Sequence, residues 1–328
     1  MTGIPQRKDW NTLQLAGFSV GLLLFPWLAQ HVSFLAHYMD VMVFVGIYSI
    51  LTIGLCLLMG YAGQISLGHA SFFGLGAYIS GVITTKYGLN PWLCILMGMT
   101  VSAVVALLIG APSLKLRGHY LAMATLAFCI IITIIFNENV EWTGGPDGLA
   151  FIPGISVMGY PVNSITKYYY LVWSLVILTL LFSLNVIRSR VGRAMRSIHG
   201  SELAASAMGV NVSKYKIYVF IISAVMASVA GSLYAHYLNF LNPASFNLFV
   251  SIKLLIMIIL GGMHSLWGAI VGAVLITFLN YEWLHYFEEA EGMIYGIIIL
   301  VIMIFLPGGL VSVPGKVRSL LTRGWSKA

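Results

Sequence analysis

Charge is almost excluded from ten stretches of this sequence, and that exclusion constrains the fold more than any motif does. The stretches are 13–30, 41–59, 70–85, 92–111, 120–136, 168–187, 217–237, 248–260, 266–285 and 293–306. The chain has 17 basic and 10 acidic residues, yet only Lys253 and Glu282 fall inside one of them. A charge at the bilayer centre costs about 2.5–3.5 kcal/mol on insertion scales, so lipid selects against it. Charged residues are 8% of the 328, against about 25% in soluble domains. That is too few to solvate a water-soluble protein of this length. A full crossing needs about 20 residues, roughly 17–25; stretches 70–85, 248–260 and 293–306 are shorter. The fold class expected is all-α, a polytopic integral membrane protein of about ten transmembrane helices, some broken by glycine. The whole chain, 1–328, is expected to form one transmembrane domain.

The positions of the remaining charges predict its orientation. With an inside N-terminus, the inner segments hold Arg7, Lys8, Lys115, Arg117, Arg188, Arg190, Arg193, Arg196, Lys214, Lys216, Lys316, Arg318, Arg323 and Lys327. Only Lys86 and Lys167 fall outside. This is the positive-inside pattern, and one span more or fewer scrambles it. Both termini are therefore expected in the cytoplasm. The net charge of +7 suggests nucleic acid at first, but the basic residues are scattered as topology signals, and lipid is the partner they imply. Stretch 13–30 lacks a small-x-small cleavage site, so a retained first span is expected.

Two connections are long. Segment 137–167, on the outside, carries Thr143-Gly144-Gly145-Pro146-Asp147-Gly148 with Pro153 and Pro161 and reads as an ordered, turn-rich cap. Segment 188–216, on the inside, has Ser201 to cap a short helix, Glu202 in its first turn and Gly209 to end it.

Glycine marks two breaks. Residues 60–81, GYAGQISLGHASFFGLGAYISG, hold six glycines with Gln64, Ser66, His69 and Ser71 among them. Gly261-Gly262-Met263-His264-Ser265-Leu266-Trp267-Gly268 forms the second break. Paired short, Gly-interrupted segments point to a gated transport pathway, and Gln64, Ser66, His69, Gly261 and Gly262 are its candidate lining or gating residues. Close helix packing by small residues fits the same stretches. Gly268 with Gly272, and Ala227 with Gly231, read as helix contacts. Lys253 reads either as a lysine snorkelling to the headgroups or as a pathway charge.

No catalytic constellation is present. The chain has no GxxxxGK[ST], its one Gly-Lys pair being Gly315-Lys316 before Val317, so it lacks a P-loop. It also lacks GxSxG and HExxH. Cys56, Cys94 and Cys129 sit singly in apolar runs and the eight histidines are dispersed, which gives neither a disulfide framework nor metal-ligand spacing.

Residues 190–216, RVGRAMRSIHGSELAASAMGVNVSKYK, resemble the cytoplasmic loop of the branched-chain amino acid permease subunits of bacterial ABC importers. GYAGQISLGHASFFGLGAY, TGGPDGL, SFNLFVSIKLLIMIILGGMHSLWG and LPGGL are similar to other stretches of that family, in the same order, from Val41 to Leu310. The long TGGPDGL loop resembles the M-type of the two pairing permeases. The resemblance implies a heterodimer with a second permease, two ATPase subunits, a periplasmic or lipid-anchored solute-binding protein, and residence in the bacterial inner membrane. Glu202, Ala204, Ala205 and Gly209 match the family's ATPase-contacting motif, with Leu203 interposed, and Gly192, Arg193 and Arg196 belong to the same coupling loop. No cofactor is expected on this chain; ATP and Mg belong to the ATPase. Where the family commonly has a small residue after Gly-Gly, this chain has Met263-His264. The function implied is inward transport of branched-chain or other apolar amino acids. A related importer for urea or another small polar solute, and a self-sufficient ion-coupled carrier, are the alternatives. The absence of an acidic relay inside the spans argues against the carrier.

Overall fold

The computed structural model describes residues 7–113, 120–157, 159–283, 291–305 and 308–312. Lys115, Arg117, Glu288, Glu289, and the tail residues Lys316, Arg318, Arg323 and Lys327 lie outside the described residues. As far as they are described, all ten apolar stretches lie on helices. The helices are α1 (Arg7–His31), α2 (Ser33–His37), α3 (Met39–Cys56), which continues into a π-helical turn Leu57–Tyr61, α4 (His69–Tyr87), α5 (Pro91–Ser113), α6 (Tyr120–Glu138) and α7 (Val140–Thr143). They continue with α8 (Ile165–Arg188), α9 (Arg190–Gly200), α10 (Glu202–Ala207), α11 (Val212–Leu238), α12 (Leu248–Gly261), α13 (Leu266–Glu282) and α14 (Glu291–Phe305).

Among the described residues, five helical segments are long and apolar enough to cross a bilayer: Met39–Tyr61, Pro91–Ser113, Tyr120–Glu138, Ile165–Arg188 and Val212–Leu238. α12 and α13, bent by 120° at their break, make a sixth if they are one span. The chain is an all-α polytopic membrane protein, and five or six of the ten expected spans meet this measure. The remaining stretches fall short for different reasons. α4 is long enough, but 13 of its 19 residues are buried, and protein neighbours let Gly, Ser and Thr stand where lipid would demand aliphatic side chains. Among the described residues, the apolar parts of α1 and α14 are Gly17–Ala29 and Gly292–Ile302.

The bundle is layered by burial. The most apolar windows of α3 and α11 are 83% and 61% buried, whereas those of α5, α6 and α8 are 28–39% buried. The outer helices expose aliphatic residues such as Leu108, Ile131, Ile134 and Leu178, an apolar surface that suits lipid and not water. Lipid tails are as apolar as leucine, so helices in a membrane associate through close packing and hydrogen bonds. The contact of α4 with α11 uses both. A Cβ on Gly231 would lie 1.8 Å from the Phe73 carbonyl oxygen, so only glycine permits this approach, and Ser232 Oγ donates to Gly76 O at 3.0 Å. The small-residue pairs predicted as helix contacts serve as such here.

The two ends of the bundle differ. At one, strand β1 (Leu149–Ala150) pairs antiparallel with β4 (Phe240–Leu241), and between them in sequence β2 (Ser156–Val157) pairs with β3 (Tyr160–Pro161). His236 at the end of α11 ties this cap down. Its Nδ1 donates to Pro153 O at 2.7 Å, which leaves Nε2 to accept from Ser80 Oγ on α4 at 2.8 Å. At the opposite, basic end, α9 and α10 connect α8 to α11.

Candidate functional site

At the basic end, α9 is held by its apolar side. Ala194, Met195 and Ile198 are buried, while Arg193 and Arg196 face outward. Ser189 caps it by accepting from Val191 N at 3.1 Å. Gly192 makes the turn out of α8 possible, because a Cβ there would lie 2.1 Å from Ile187 O. Sequence reading placed Gly192, Arg193 and Arg196 in a coupling loop but predicted no helix at this point. The signal was available in Val191, Ala194, Met195 and Ile198, which repeat at helical spacing.

α10 is the short helix expected after Ser201. Ser201 Oγ accepts from Ala204 N at 3.3 Å, the N-cap geometry. At the other end Gly209 takes φ +80°, a left-handed conformation that glycine adopts without a Cβ penalty. The Gly209 and Val210 N–H groups donate to Ser206 O and Ala205 O, each at 3.0 Å. Ala205 is buried, whereas Glu202, Ala204, Leu203 and Met208 face outward, the last two at 66% and 85% exposure.

The tie from α10 to the bundle is Lys216, in the second turn of α11. Its Nζ lies 2.5 Å from Glu202 Oε1, with side-chain exposures of 7% and 44%. Sequence reading counted Lys216 only as a topology charge. A pairing across 14 residues and two helices has no local signature.

The glycine-break residues sit where α4 begins. His69 is fully buried; its Nε2 hydrogen-bonds with Ser223 Oγ of α11 at 2.6 Å and its Nδ1 with Ser66 Oγ at 3.2 Å. Leu67 N donates to Thr125 Oγ1 of α6 at 3.0 Å, and Ala70 N to Ser251 Oγ of α12 at 3.1 Å. Two helices, α6 and α12, therefore satisfy open N–H groups of α4 and of the turn before it, while α11 holds the His69 ring. Gln64 is buried, yet neither atom of its amide has a hydrogen-bond partner among the described residues. A serine hydroxyl at 2.6 Å from an imidazole is also the spacing of a nucleophile and its base. Here both side chains are completely enclosed, so the pair joins helices.

The second break meets the first. Cys56 Sγ donates to Met263 O at 3.2 Å, and Tyr61 Oη to His264 O at 3.0 Å. A Cβ on Gly60 would lie 1.7 Å from Met263 O. Met263 and His264, the departure from the family pattern, thus engage the first break through backbone carbonyls, which any residue supplies. Gly261 and Gly262 form the bend itself: a Cβ on Gly261 would meet Gly268 O at 1.8 Å, and Gly262 has φ +119°. Ser265 then caps α13, accepting from Gly268 N at 3.2 Å.

His199 on α9 touches both breaks. A Cβ on Gly63 would be 2.6 Å from its Nδ1, and its ring lies 5.3 Å from that of His264, nearly perpendicular. The two candidate groups, loop and glycine breaks, are therefore parts of one contiguous structure. His199, Ser223, Tyr61 and Lys216 join them, and none of the four was among the sequence candidates. Lys253 lies elsewhere, with its ammonium 5.6 Å from the Tyr48 ring centroid. Glu282 hydrogen-bonds with Tyr38, just before α3, and holds that phenol above its ordinary pKa, burial adding to the shift.

Comparison with known proteins places this arrangement in a family. The family described as the branched-chain amino acid transport system permease component matches residues 37–305. The high-affinity branched-chain amino acid transport system permease protein LivM of Salmonella typhimurium is 33% identical, with 92% of this chain and 76% of that protein covered. The Escherichia coli LivM is 32% identical over the same shares. The Escherichia coli permease protein LivH is 26% identical over 81% of this chain and 92% of its own length. No solved structure matches significantly. With a family match over most of its length and an M-type relative at one-third identity, the chain belongs to the permease components of branched-chain amino acid transport systems.

Proposed function

We propose that this chain is a membrane-spanning permease subunit of an ATP-driven ABC importer for branched-chain amino acids. It pairs with a second permease, two ATPase subunits that carry ATP and Mg, and an extracytoplasmic solute-binding protein. It resides in the inner membrane as a single transmembrane unit, with both termini and the 188–216 end in the cytoplasm and the 137–167 cap outside. Helices α1, α4, α12, α13 and α14 complete a ten-segment passage. Relatives named as two different permeases of one transport system, LivM and LivH, support a heterodimer.

The observation that carries the reading is the clamp of α10 onto α11. α10 presents Leu203 and Met208 outward, which suits an apolar groove on an ATPase. Glu202 fastens it to Lys216, and Ser223, seven residues further along α11, holds His69 at the first glycine break. A displacement of α10 is thereby delivered to the break through a rigid helix, as expected where packed elements have discrete arrangements. α9 offers a parallel route through His199. Gln64 suits a gate: an unsatisfied buried polar group costs about 1–3 kcal/mol, a penalty relieved when the break opens to water. The pathway has few fixed charges, and helix ends and backbone groups suit a zwitterion with an apolar side chain.

The test is leucine uptake and ATP hydrolysis by the assembled transporter carrying a scrambled 202–209 segment. Uptake is expected to vanish while membrane insertion persists and ATP hydrolysis loses its dependence on the binding protein. Coupled uptake at the unmodified rate contradicts the reading.

A further inference from the structure

We propose that His199 and His264 form a two-imidazole site for a divalent late-transition ion, zinc before others, and that the bound ion pins α9 to the turn between α12 and α13. The consequence for transport rests on the permease reading; the site itself does not. His264 belongs to the departure from the family pattern, and its backbone carbonyl, accepting from Tyr61 Oη at 3.0 Å, does what any residue there would do. Its imidazole has no part in that contact. The imidazole Nε2 lies 3.5 Å from Nε2 of His199, 65 residues away in sequence, which is why no local ligand spacing announced the pair.

The geometry fits a shared ion better than a direct bond. Good hydrogen bonds from nitrogen span about 2.7–3.2 Å, so 3.5 Å is loose for one. Two imidazole nitrogens at about 2.0–2.1 Å from one tetrahedral ion stand about 3.4 Å apart and, with the ion on each lone-pair axis, hold their ring centroids about 5.2 Å apart. The observed centroid separation is 5.3 Å, with the rings at 87°. A straight N–H···N bond of the observed length would hold the centroids about 5.8 Å apart.

Both residues are exposed, so an ion can reach them. Neither imidazole has another hydrogen-bond partner among the described residues. Each is seated by its surroundings: the His199 ring rests on Gly63, where a Cβ would lie 2.6 Å from Nδ1, and the turn at His264 is closed by Ser265 N donating to Gly262 O at 3.1 Å. No third His, Cys, Asp or Glu completes a set of three among the described residues, so water fills the remaining positions. Arg196, one turn before His199, acts electrostatically on Tyr61 beside the pair, and Glu202 is engaged by Lys216. An ion held by charge and oxygen, such as magnesium or calcium, finds no carboxylate here, whereas zinc, nickel and copper bind imidazole itself. A bound ion ties the coupling loop to the second glycine break and opposes any movement of one against the other.

The test uses the complete transporter in vesicles, with ATP enclosed together with either buffered zinc or a chelator, and compares leucine uptake. Zinc is expected to suppress uptake by the unsubstituted transporter, and a membrane-permeant chelator to restore it. His199→Gln and His264→Gln, each read against its own uptake in chelator, are expected to raise the zinc concentration for half-suppression about tenfold or more, since even the outer partners of a metal are worth 10–100-fold. Labelling by diethyl pyrocarbonate needs neither a variant nor transport. Zinc is expected to protect His199 and His264 together in the complete transporter and to leave His31 and His37, exposed at the ends of α1 and α2, as reactive as before. Labelling of His199 and His264 unchanged by zinc overturns the site, and equal zinc sensitivity in all three transporters overturns the clamp. Absence of uptake by the unsubstituted transporter in chelator contradicts the permease reading instead, and the labelling result then decides the site alone.

Discussion

The ammonium of Lys216 and the carboxylate of Glu202 approach to 2.5 Å, one nearly enclosed on α11 and the other half-exposed on α10. An enclosed lysine without a counter-charge is strongly disfavoured, so the position of Lys216 dictates where Glu202 must sit. Because Glu202 is 44% exposed, solvent screens the pair, and its contribution to stability is about 1 kcal/mol or less. Its consequence is positional: α10 cannot shift without acting on α11.

Glu202→Gln and Lys216→Met are each expected to uncouple ATP hydrolysis from uptake; Lys216→Met is expected to lower thermal stability only slightly, and Glu202→Gln more, because it leaves the enclosed ammonium without its counter-charge. The Lys216→Glu, Glu202→Lys double variant is expected to recover part of the coupling. Uptake and hydrolysis measured side by side check both statements. Equal loss in the single and the reversed variants excludes the pair as the connection.

Ser223→Ala removes the 2.6 Å partner of His69 Nε2 and leaves a buried ring nitrogen unsatisfied, at a cost of about 1–3 kcal/mol. The expected results are a lower unfolding temperature and slower uptake with ATP binding intact. Ser223→Thr, which keeps the hydroxyl, is expected to do less damage. Detergent-solubilised thermal unfolding and vesicle uptake give the comparison.

Gln64→Leu has the opposite sign. It replaces two buried, unpartnered polar atoms with an apolar group of similar length, so the described conformation is expected to gain about 1–3 kcal/mol. A gate stabilised in one state turns over slowly, so uptake falls as thermal stability rises. A variant that is both less stable and fully active excludes this role for Gln64.

Gly60→Ala drives a methyl group into the Met263 carbonyl, 1.7 Å from the ideal Cβ position. Backbone must move apart at the meeting of the breaks, with overpacking costs of about 1–3 kcal/mol or more. Reduced stability and reduced uptake are expected together. Gly209→Ala is a contrast, since a Cβ there has no neighbour within 4 Å and only the left-handed backbone is strained. Its cost is expected near 1 kcal/mol, read as a small fall in unfolding temperature.

Local chemistry was legible in the sequence, and pairing between distant elements was not. Ser201, Glu202 and Gly209 announced α10 because capping needs only neighbours. Glycine density announced the breaks at 60–68 and 261–268. Nothing local says that Met263 faces Gly60, or that His199 rests on Gly63 and His264, since those contacts arise from how α3, α9 and the α12–α13 bend pack. The ten-span expectation counted apolar stretches as though each faced lipid. α4 shows why length and apolarity alone pick out fewer: a helix enclosed by protein carries Gly, Ser and Thr, and α12 and α13 are joined by a sharp bend. Lys253 was ambiguous in sequence because snorkelling and pathway lining differ only in the direction a side chain takes.

The central claim is that the loop drives the glycine breaks through physical contact, and His199 against His264 is where that contact is closest to α9. Cysteines at both positions, bridged by a short bifunctional thiol reagent, fix α9 to the second break. A parallel sample retaining only Cys56, Cys94 and Cys129, all buried, controls for the native thiols. Leucine uptake by the bridged transporter is expected to stop while ATP binding continues, and to return when a reducible bridge is cleaved. Uptake undiminished by a complete bridge contradicts the account.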